Sequence, residues 1–230
     1  MARPQRFAAP GMAQHVIQRG NNRSICFVAP ADYRFYLECL ADACAEFECQ
    51  VHAYVLMTNH VHLLMSPATP SGVSSVMQAI GRRYIRRFND SYHRTGTLWE
   101  GRHKATIVDR EQYLFACYRY VELNPLRAGL SATARAYRWS SHRANAYRVA
   151  DSLITSHERY VALGDTPRVR QRVYRALFTD PIPDATLSEI RDATNRGWAL
   201  GGKHFRAEVA AMLRRRTEPA IKGRRAAMKR

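Results

Sequence analysis

Acidic residues are scarce in this chain. Its 230 residues carry 19 Asp and Glu against 36 Lys and Arg, a formal net charge of +17, with a pI near 10.3. Charge of one sign repels itself unless a polyanion neutralises it, so nucleic acid is the first partner to expect. A ribosome-bound or membrane-surface protein would show the same balance. No stretch approaches the roughly 20 consecutive apolar residues of a membrane span. Met1 to Gln14 holds arginines and prolines but no apolar h-region, so no signal peptide is expected. The five cysteines, Cys26, Cys39, Cys44, Cys49 and Cys117, include no Cys-x-x-Cys pair. An odd number at irregular spacing reads as reduced, mostly buried thiols of a cytoplasmic protein. No internal repeat is visible. Hydrophobic residues make up 46% of the chain, enough for a real core and too many for a disordered tail protein.

Periodicity orders the first half. Ala13 to Arg19 alternates as a strand, closed by Gly20-Asn21-Asn22. From Ala31 to Glu48, Tyr33, Tyr36, Leu37, Leu40, Cys44 and Phe47 recur at helical spacing, and Pro30 suits the first turn. Gln50 to Met57 and His60 to Ser66 read as strands joined tightly at Thr58-Asn59. Gly72 to Asn89 is a second helix with Val73, Val76, Met77, Ile80, Tyr84 and Phe88 inward. A strand from His103 to Val108 and a helix from Glu111 to Leu123, stopped by Pro125, complete the order β-α-β-β-α-β-α. That order predicts an α+β, ferredoxin-like antiparallel sheet with helices on one face and the other face open to a ligand. After a soft boundary near residue 150, short helices are expected over 156–163, 167–179, 184–195 and 203–216. They form a small helical C-terminal extension (151–213). Residues 214–230, with eight Lys or Arg against one Glu, read as a basic, flexible tail.

The chemistry concentrates in Tyr54-Val55-Leu56-Met57-Thr58-Asn59-His60-Val61-His62-Leu63-Leu64. Side chains alternate across a strand, so His60 and His62 point one way and Val61 and Leu63 the other. Two imidazoles on one side of a strand make half a site for a divalent metal, which needs further ligands to be held well. A structural pair of histidines is the competing reading. The third helix sets Tyr113, Cys117, Tyr120 and Asn124 along one stripe. A phenol such as that of Tyr120 can attack a phosphodiester and hold the cut end covalently. Asn124, one turn on, offers an amide oxygen to the metal. Either residue alone reads as packing or a helix end; they gain weight beside the His pair.

These motifs resemble those of the REP-associated tyrosine transposases, relatives of the single-tyrosine HUH transposases of insertion sequences. The resemblance runs from Met1-Ala2-Arg3-Pro4 and His15-Val16-Ile17-Gln18-Arg19-Gly20-Asn21 through Thr58-Asn59-His60-Val61-His62-Leu63-Leu64. It continues in Gly96-Thr97-Leu98-Trp99-Glu100-Gly101-Arg102, in Tyr120-Val121-Glu122-Leu123-Asn124-Pro125-Leu126-Arg127-Ala128-Gly129 and in Trp139-Ser140-Ser141. About the first 145 residues are covered, with a looser likeness near Leu200-Gly201. The resemblance implies that residues 1–150 are a catalytic domain, with His60 and His62 as the HUH histidines and Mg²⁺ or Mn²⁺ as the metal. It also implies that Tyr120 cuts single-stranded DNA, leaving a 5′-phosphotyrosine and a free 3′-OH. The substrates implied are the hairpins of repetitive extragenic palindromes. Insertion-sequence relatives carry Gln where this chain has Asn124, whose side chain is one methylene shorter.

A hairpin needs contacts along its backbone and stacking for its unpaired bases. Arg82, Arg83, Arg86 and Arg87 gather on one side of the second helix with no acidic neighbour, a repulsion that phosphates would relieve. Arg102 and Lys104 can serve beside the site, as can Arg127 within the tyrosine motif. Trp99 and Trp139 are candidates to stack bases, with core packing the alternative for each. A histidine-triad nucleotide hydrolase would need another histidine where Leu64 stands. A hairpin-binding protein that no longer cuts is the other alternative. A bacterial cytoplasmic, nucleoid-associated location follows, with no membrane partner, and the oligomeric state stays open with a monomer preferred to a homodimer.

Overall fold

The structure is a computed structural model and describes residues 9–218. Its first half follows the expected order. Strand β1 (Gln14–Arg19) leads to α1 (Pro30–Glu46), where Pro30 occupies the first turn. Asp32 closes that turn by accepting the backbone N–H groups of Val28 and Ala29 at 2.8 and 2.9 Å. β2 (Cys49–Met57) and β3 (His60–Pro67) form a hairpin in which Met57 pairs with His60 across Thr58-Asn59. Then come α2 (Gly72–Ser91), β4 (Lys104–Ile107) and α3 (Leu114–Glu122). All pairings are antiparallel, in the order β2-β3-β1-β4, so β1 and β3 are central.

Packing amends the layer expectation. Helices α1 and α2 cover one face, burying Val16, Leu56, Val61, Leu63 and Met65. The other face is covered too. Ala53, Val55, Met57 and Leu64 pack there against Leu114, Cys117, Tyr118 and Val121 of α3 and against the C-terminal helices. Covered on both sides, β3 is buried from Val61 to Pro67 instead of alternating. Edge strand β2 is capped where Leu56 N–H donates to the Trp139 carbonyl and Ser141 N–H to that of Tyr54.

Pro125 produces a second amendment. Its ring would clash with the carbonyl four residues back in a continuing helix. The chain therefore ends α3 at Glu122, breaks at Leu123 and begins α4 (Asn124–Arg127) with Pro125 in its first turn. Beyond it lie α5 (His142–Tyr147), α6 (Glu158–Val161), α7 (Pro167–Ala176), α8 (Asp184–Arg196) and α9 (Lys203–Leu213). Leu187 and Ile190 of α8 belong to the same core as α3, and α8 lies against β1 and β4. Gly197, at φ 67°, ends α8 in the left-handed conformation that glycine adopts without steric cost. Most of the basic tail, from residue 219, lies outside the described residues, as do residues 1–8. No described helix is long and apolar enough to cross a membrane.

Candidate active site

Register builds the site. Because β1 and β3 are adjacent, Arg19 stands opposite His60, Ile17 opposite His62 and His15 opposite Leu64. Opposite residues share a face, so three histidines lie on the α3 side of the sheet. Their rings meet: the centroids of His60 and His62 are 5.0 Å apart, as are those of His15 and His62. Tyr120 comes down from α3 with its ring edge-on to both His15 and His62 at 5.5 Å. Asn124 stands one turn on from Tyr120, half-buried at the start of α4.

A cavity of about 140 Å³ opens here, lined by His15, Ile17, Arg19, His62, Tyr120, Arg191, Thr194 and Asn195. Two larger hollows of about 590 Å³ lie elsewhere, one around Asp109 and Phe205 and one around Glu48 and Pro67; neither includes His60, His62 or Tyr120. Size alone therefore points away from the histidines, and side-chain chemistry is the better guide.

Burial keeps the imidazoles neutral. It lowers His15 to about 3 and His60 to about 4, and holds His62 well below the usual histidine value. Neighbouring basic groups push the same way, Arg19 on His60, and His15, His60, Arg127 and Arg19 on His62, each disfavouring a further positive charge. Neutral imidazole is the form that ligates metal. His60 and His62 thus suit a divalent ion, although among the described residues no cluster of three His, Cys, Asp or Glu is placed to hold one. Mg²⁺ and Mn²⁺ favour oxygen donors, so the rest of the shell falls to Asn124, water or substrate phosphate.

Hydrogen bonds hold the rings. His60 Nδ1 lies 2.6 Å from Asn59 Oδ1, and Asn59 Nδ2 donates to the Arg23 carbonyl at 3.1 Å. His62 Nδ1 lies 2.8 Å from His15 Nε2, and His15 Nδ1 lies 2.9 Å from Thr194 Oγ1. Arg127 covers Tyr120, its guanidinium 4.5 Å from the ring centroid while Nη2 donates to the Tyr120 carbonyl at 2.7 Å.

The family model described as "Transposase IS200 like" matches residues 8–124, just over half of the 230. The chain belongs to the IS200-like transposase family. The match spans His60, His62, Tyr120 and Asn124, and it stops before α5 to α9. A solved REP-associated tyrosine transposase bound to a REP hairpin shares the fold. It is 14% identical with a TM-score of 0.54, over 68% of this chain and 93% of that one. A solved transposase from Deinococcus radiodurans R1 is 20% identical over 58% of this chain and all of that one, with a TM-score of 0.38. No curated protein matches.

In this IS200-like transposase the nucleic-acid candidates are scattered. Arg82, Arg83, Arg86 and Arg87 are exposed on α2, across the sheet from the cavity. Their surroundings are not free of acid: Asp90 follows Arg86 by one turn on the same helix. Packing brings Asp42 of α1 within 2.7 Å of Arg83, and Phe35 lies under Arg83 and Arg87. Trp99 is buried, stacked near Tyr84 and edge-on to Tyr36, so core packing occupies it. Trp139 is half-buried against Tyr33 at 4.5 Å, with Arg138 over its ring. Arg102 is exposed. Lys104 stands opposite Ile17 on the site face and donates to Asn195 Oδ1 at 3.1 Å.

Sequence reasoning missed His15, Arg19, Arg191, Thr194 and Asn195 in the cavity wall. His15 and Arg19 carried a signal, since both share the parity of a strand that pairs with the His-x-His strand. The α8 residues carried none: Thr194 meets His15 across 179 positions.

Proposed function

We propose that this transposase is a metal-dependent single-stranded DNA endonuclease and strand transferase that cuts repetitive extragenic palindrome hairpins through Tyr120. The observation that carries the reading is the convergence of the Tyr120 ring with His62, itself beside His60, on one face of a rigid sheet. The Tyr120 hydroxyl oxygen forms a bond to the scissile phosphorus as the bond to the 3′ oxygen breaks. The phenolic proton is lost, the 3′ oxygen gains one, and the product is a 5′-phosphotyrosine with a free 3′-OH. Attack by another 3′-OH reverses the step and joins strands, so no external energy is needed.

His60 and His62, with Asn124 the candidate third ligand, would hold Mg²⁺ or Mn²⁺. When bound, such an ion polarises the phosphate and stabilises charge on the departing oxygen. Arg19 and Arg191 line the cavity, Arg127 lies over the Tyr120 ring, and all three suit the phosphate's negative charge. Lys104 extends that charge along the face, while Arg82, Arg86, Arg87 and Arg102 suit the more distant stem. We read residues 1–150 as the catalytic domain and 151–213 as an extension whose α8 walls the site. The protein would work in the cytoplasm on nucleoid DNA. The hairpin-bound relative supports the choice of substrate, as do the motifs shared with REP-associated transposases.

The test is a cleavage assay on single-stranded hairpins from the host's own repeats, with Mn²⁺ or EDTA, resolved on a denaturing protein gel. A metal-dependent protein–DNA adduct is expected, absent from Tyr120→Phe while hairpin binding persists. Strand transfer unchanged in Tyr120→Phe would overturn the mechanism. Tight binding without adduct, across metals and repeat sequences, would favour a protein that binds and no longer cuts.

A further inference from the structure

His15 is buried on β1 and takes no part in the chemistry proposed above, yet both of its ring nitrogens are engaged. We propose that His15 and Thr194 are positioning residues. Together they hold His62 with its proton on Nδ1 and its lone pair on Nε2, the nitrogen left for a metal. This rests on reading His62 as a ligand.

The direction of each hydrogen bond follows from counting hydrogens. The Thr194 hydroxyl has one, and donates it to the Ile190 carbonyl one turn back in α8, at 2.8 Å. Towards His15 the hydroxyl oxygen can then only accept, so His15 Nδ1 donates. A neutral imidazole has a single N–H, which leaves a lone pair on His15 Nε2. That lone pair faces His62 Nδ1 at 2.8 Å, so His62 Nδ1 donates and its Nε2 keeps a lone pair. Protons on both facing nitrogens would set two donors against each other at that distance. Neither ring has a carboxylate among its hydrogen-bond partners to stabilise an imidazolium. His62 Nε2 has no protein partner among the described residues, and His62 lines the cavity.

His60 reaches the same tautomer by a separate route. Asn59 Nδ2 donates to the Arg23 carbonyl, which fixes Oδ1 as the atom facing His60. Oδ1 accepts, His60 Nδ1 donates, and His60 Nε2 keeps its lone pair. Two histidines prepared alike through unrelated partners are what a shared ligand on their Nε2 atoms requires. Thr194 also lies beyond the family match, which ends at residue 124. The C-terminal extension therefore acts on the metal half-site through one hydroxyl.

The experiment is a two-bond ¹H–¹⁵N correlation of the imidazoles in the full-length protein, followed by titration with Mn²⁺ alone. In the unaltered protein, both His60 and His62 should show a pyrrole-type Nδ1 and a pyridine-type Nε2. Thr194→Val should shift His62 towards a tautomer mixture and leave His60 unchanged. It should also weaken Mn²⁺ binding, read from paramagnetic broadening, by roughly 10-fold. Thr194→Ser should restore both. A proton on His62 Nε2 in the unaltered protein would overturn the proposal. So would a Thr194→Val protein in which His62 and Mn²⁺ binding are unchanged, or one in which His60 shifts together with His62. The expected tautomers with no Mn²⁺ broadening would uphold the relay and sink the metal reading on its own.

Discussion

Two buried polar networks lie on the same side of the sheet, and only one of them ends in the cavity. Around Glu122, fully buried on α3, the polar groups close on themselves. Its Oε1 accepts from Ser141 at 2.7 Å and Asn145 at 2.9 Å, while its Oε2 meets His142 Nδ1 at 2.7 Å and Tyr174 at 2.8 Å. Every partner comes from α5, α7 or the turn before α5, so the network ties the C-terminal helices to the tyrosine helix. The chain Ile190–Thr194–His15–His62 is linear instead, one hydrogen bond per link, and stops at a nitrogen without a protein partner among the described residues. A saturated buried network specifies packing; one with an open end beside a cavity leaves coordination for a ligand. The helix carrying Tyr120 is thus locked two residues past the tyrosine by the closed network, and faced by the open one.

Breaking the closed network should cost the most. Glu122→Ala strands four donors in the interior, and unfolding in denaturant should show a loss of about 3–5 kcal/mol, typical of removing one partner from a buried charged set. His62→Ala should instead cost about 1–3 kcal/mol, since only His15 Nε2 loses its partner. Yet cleavage by His62→Ala should fall on the order of 100-fold, at every Mn²⁺ concentration tried, as it should for His60→Ala. Equal destabilisation by Glu122→Ala and His62→Ala would erase the distinction between the networks.

Acid should loosen the buried histidines, those of the site among them. In the folded protein burial depresses His15 to about 3 and His60 to about 4, with His62 also well below its usual value, whereas unfolded histidine titrates near 6.5. A depressed value means that the neutral form is favoured by folding. The stabilisation is therefore present above about pH 6.5 and is lost as pH falls towards 4. Each such histidine contributes a slope of roughly 1 kcal/mol per pH unit across that window. His52, which burial lowers to about 4 despite its hydrogen bond to the Thr155 carbonyl, adds to the same slope from outside the site. Thermal melts from pH 7 to 4.5 should fall less steeply in His15→Gln than in the unaltered protein. A parallel decline would place the acid sensitivity elsewhere.

What could be read in the chain was local. Period-two and helical spacing located β1 to β4 and α1 to α3 within a few residues, because a strand or helix betrays itself in its own side chains. The His60–Val61–His62 pattern was legible for the same reason. Contacts across elements were not. Strand parity put His15 on some face of β1, but only the β1–β3 register brings it to His62. Nothing near Arg83 in sequence announces Asp42, and nothing in α8 announces a site wall. The stripe joining Tyr120 to Asn124 was read on one helix, whereas the chain divides at Leu123 into α3 and α4. Trp99 looked available because aromatics serve cores and bases alike, and burial alone tells them apart.

The smallest predicted effect separates the two faces of the sheet. Arg191 lines the cavity, whereas Arg86 is exposed on α2 beyond the opposite face. Each arginine that neutralises a phosphate contributes one released counterion to the salt dependence of binding. Arg191→Ala should therefore lower the slope of log affinity against log salt by about 1 for a hairpin that carries its cleavage site. The same change should be absent for the isolated stem, which has no phosphate to place beside Tyr120. Arg86→Ala should affect site-bearing hairpin and bare stem equally, because it stands across the sheet from the cavity. Identical slopes for both variants on both DNAs would mean that the positive charge acts as one diffuse field, and that the cavity arginines have no special hold on the phosphate.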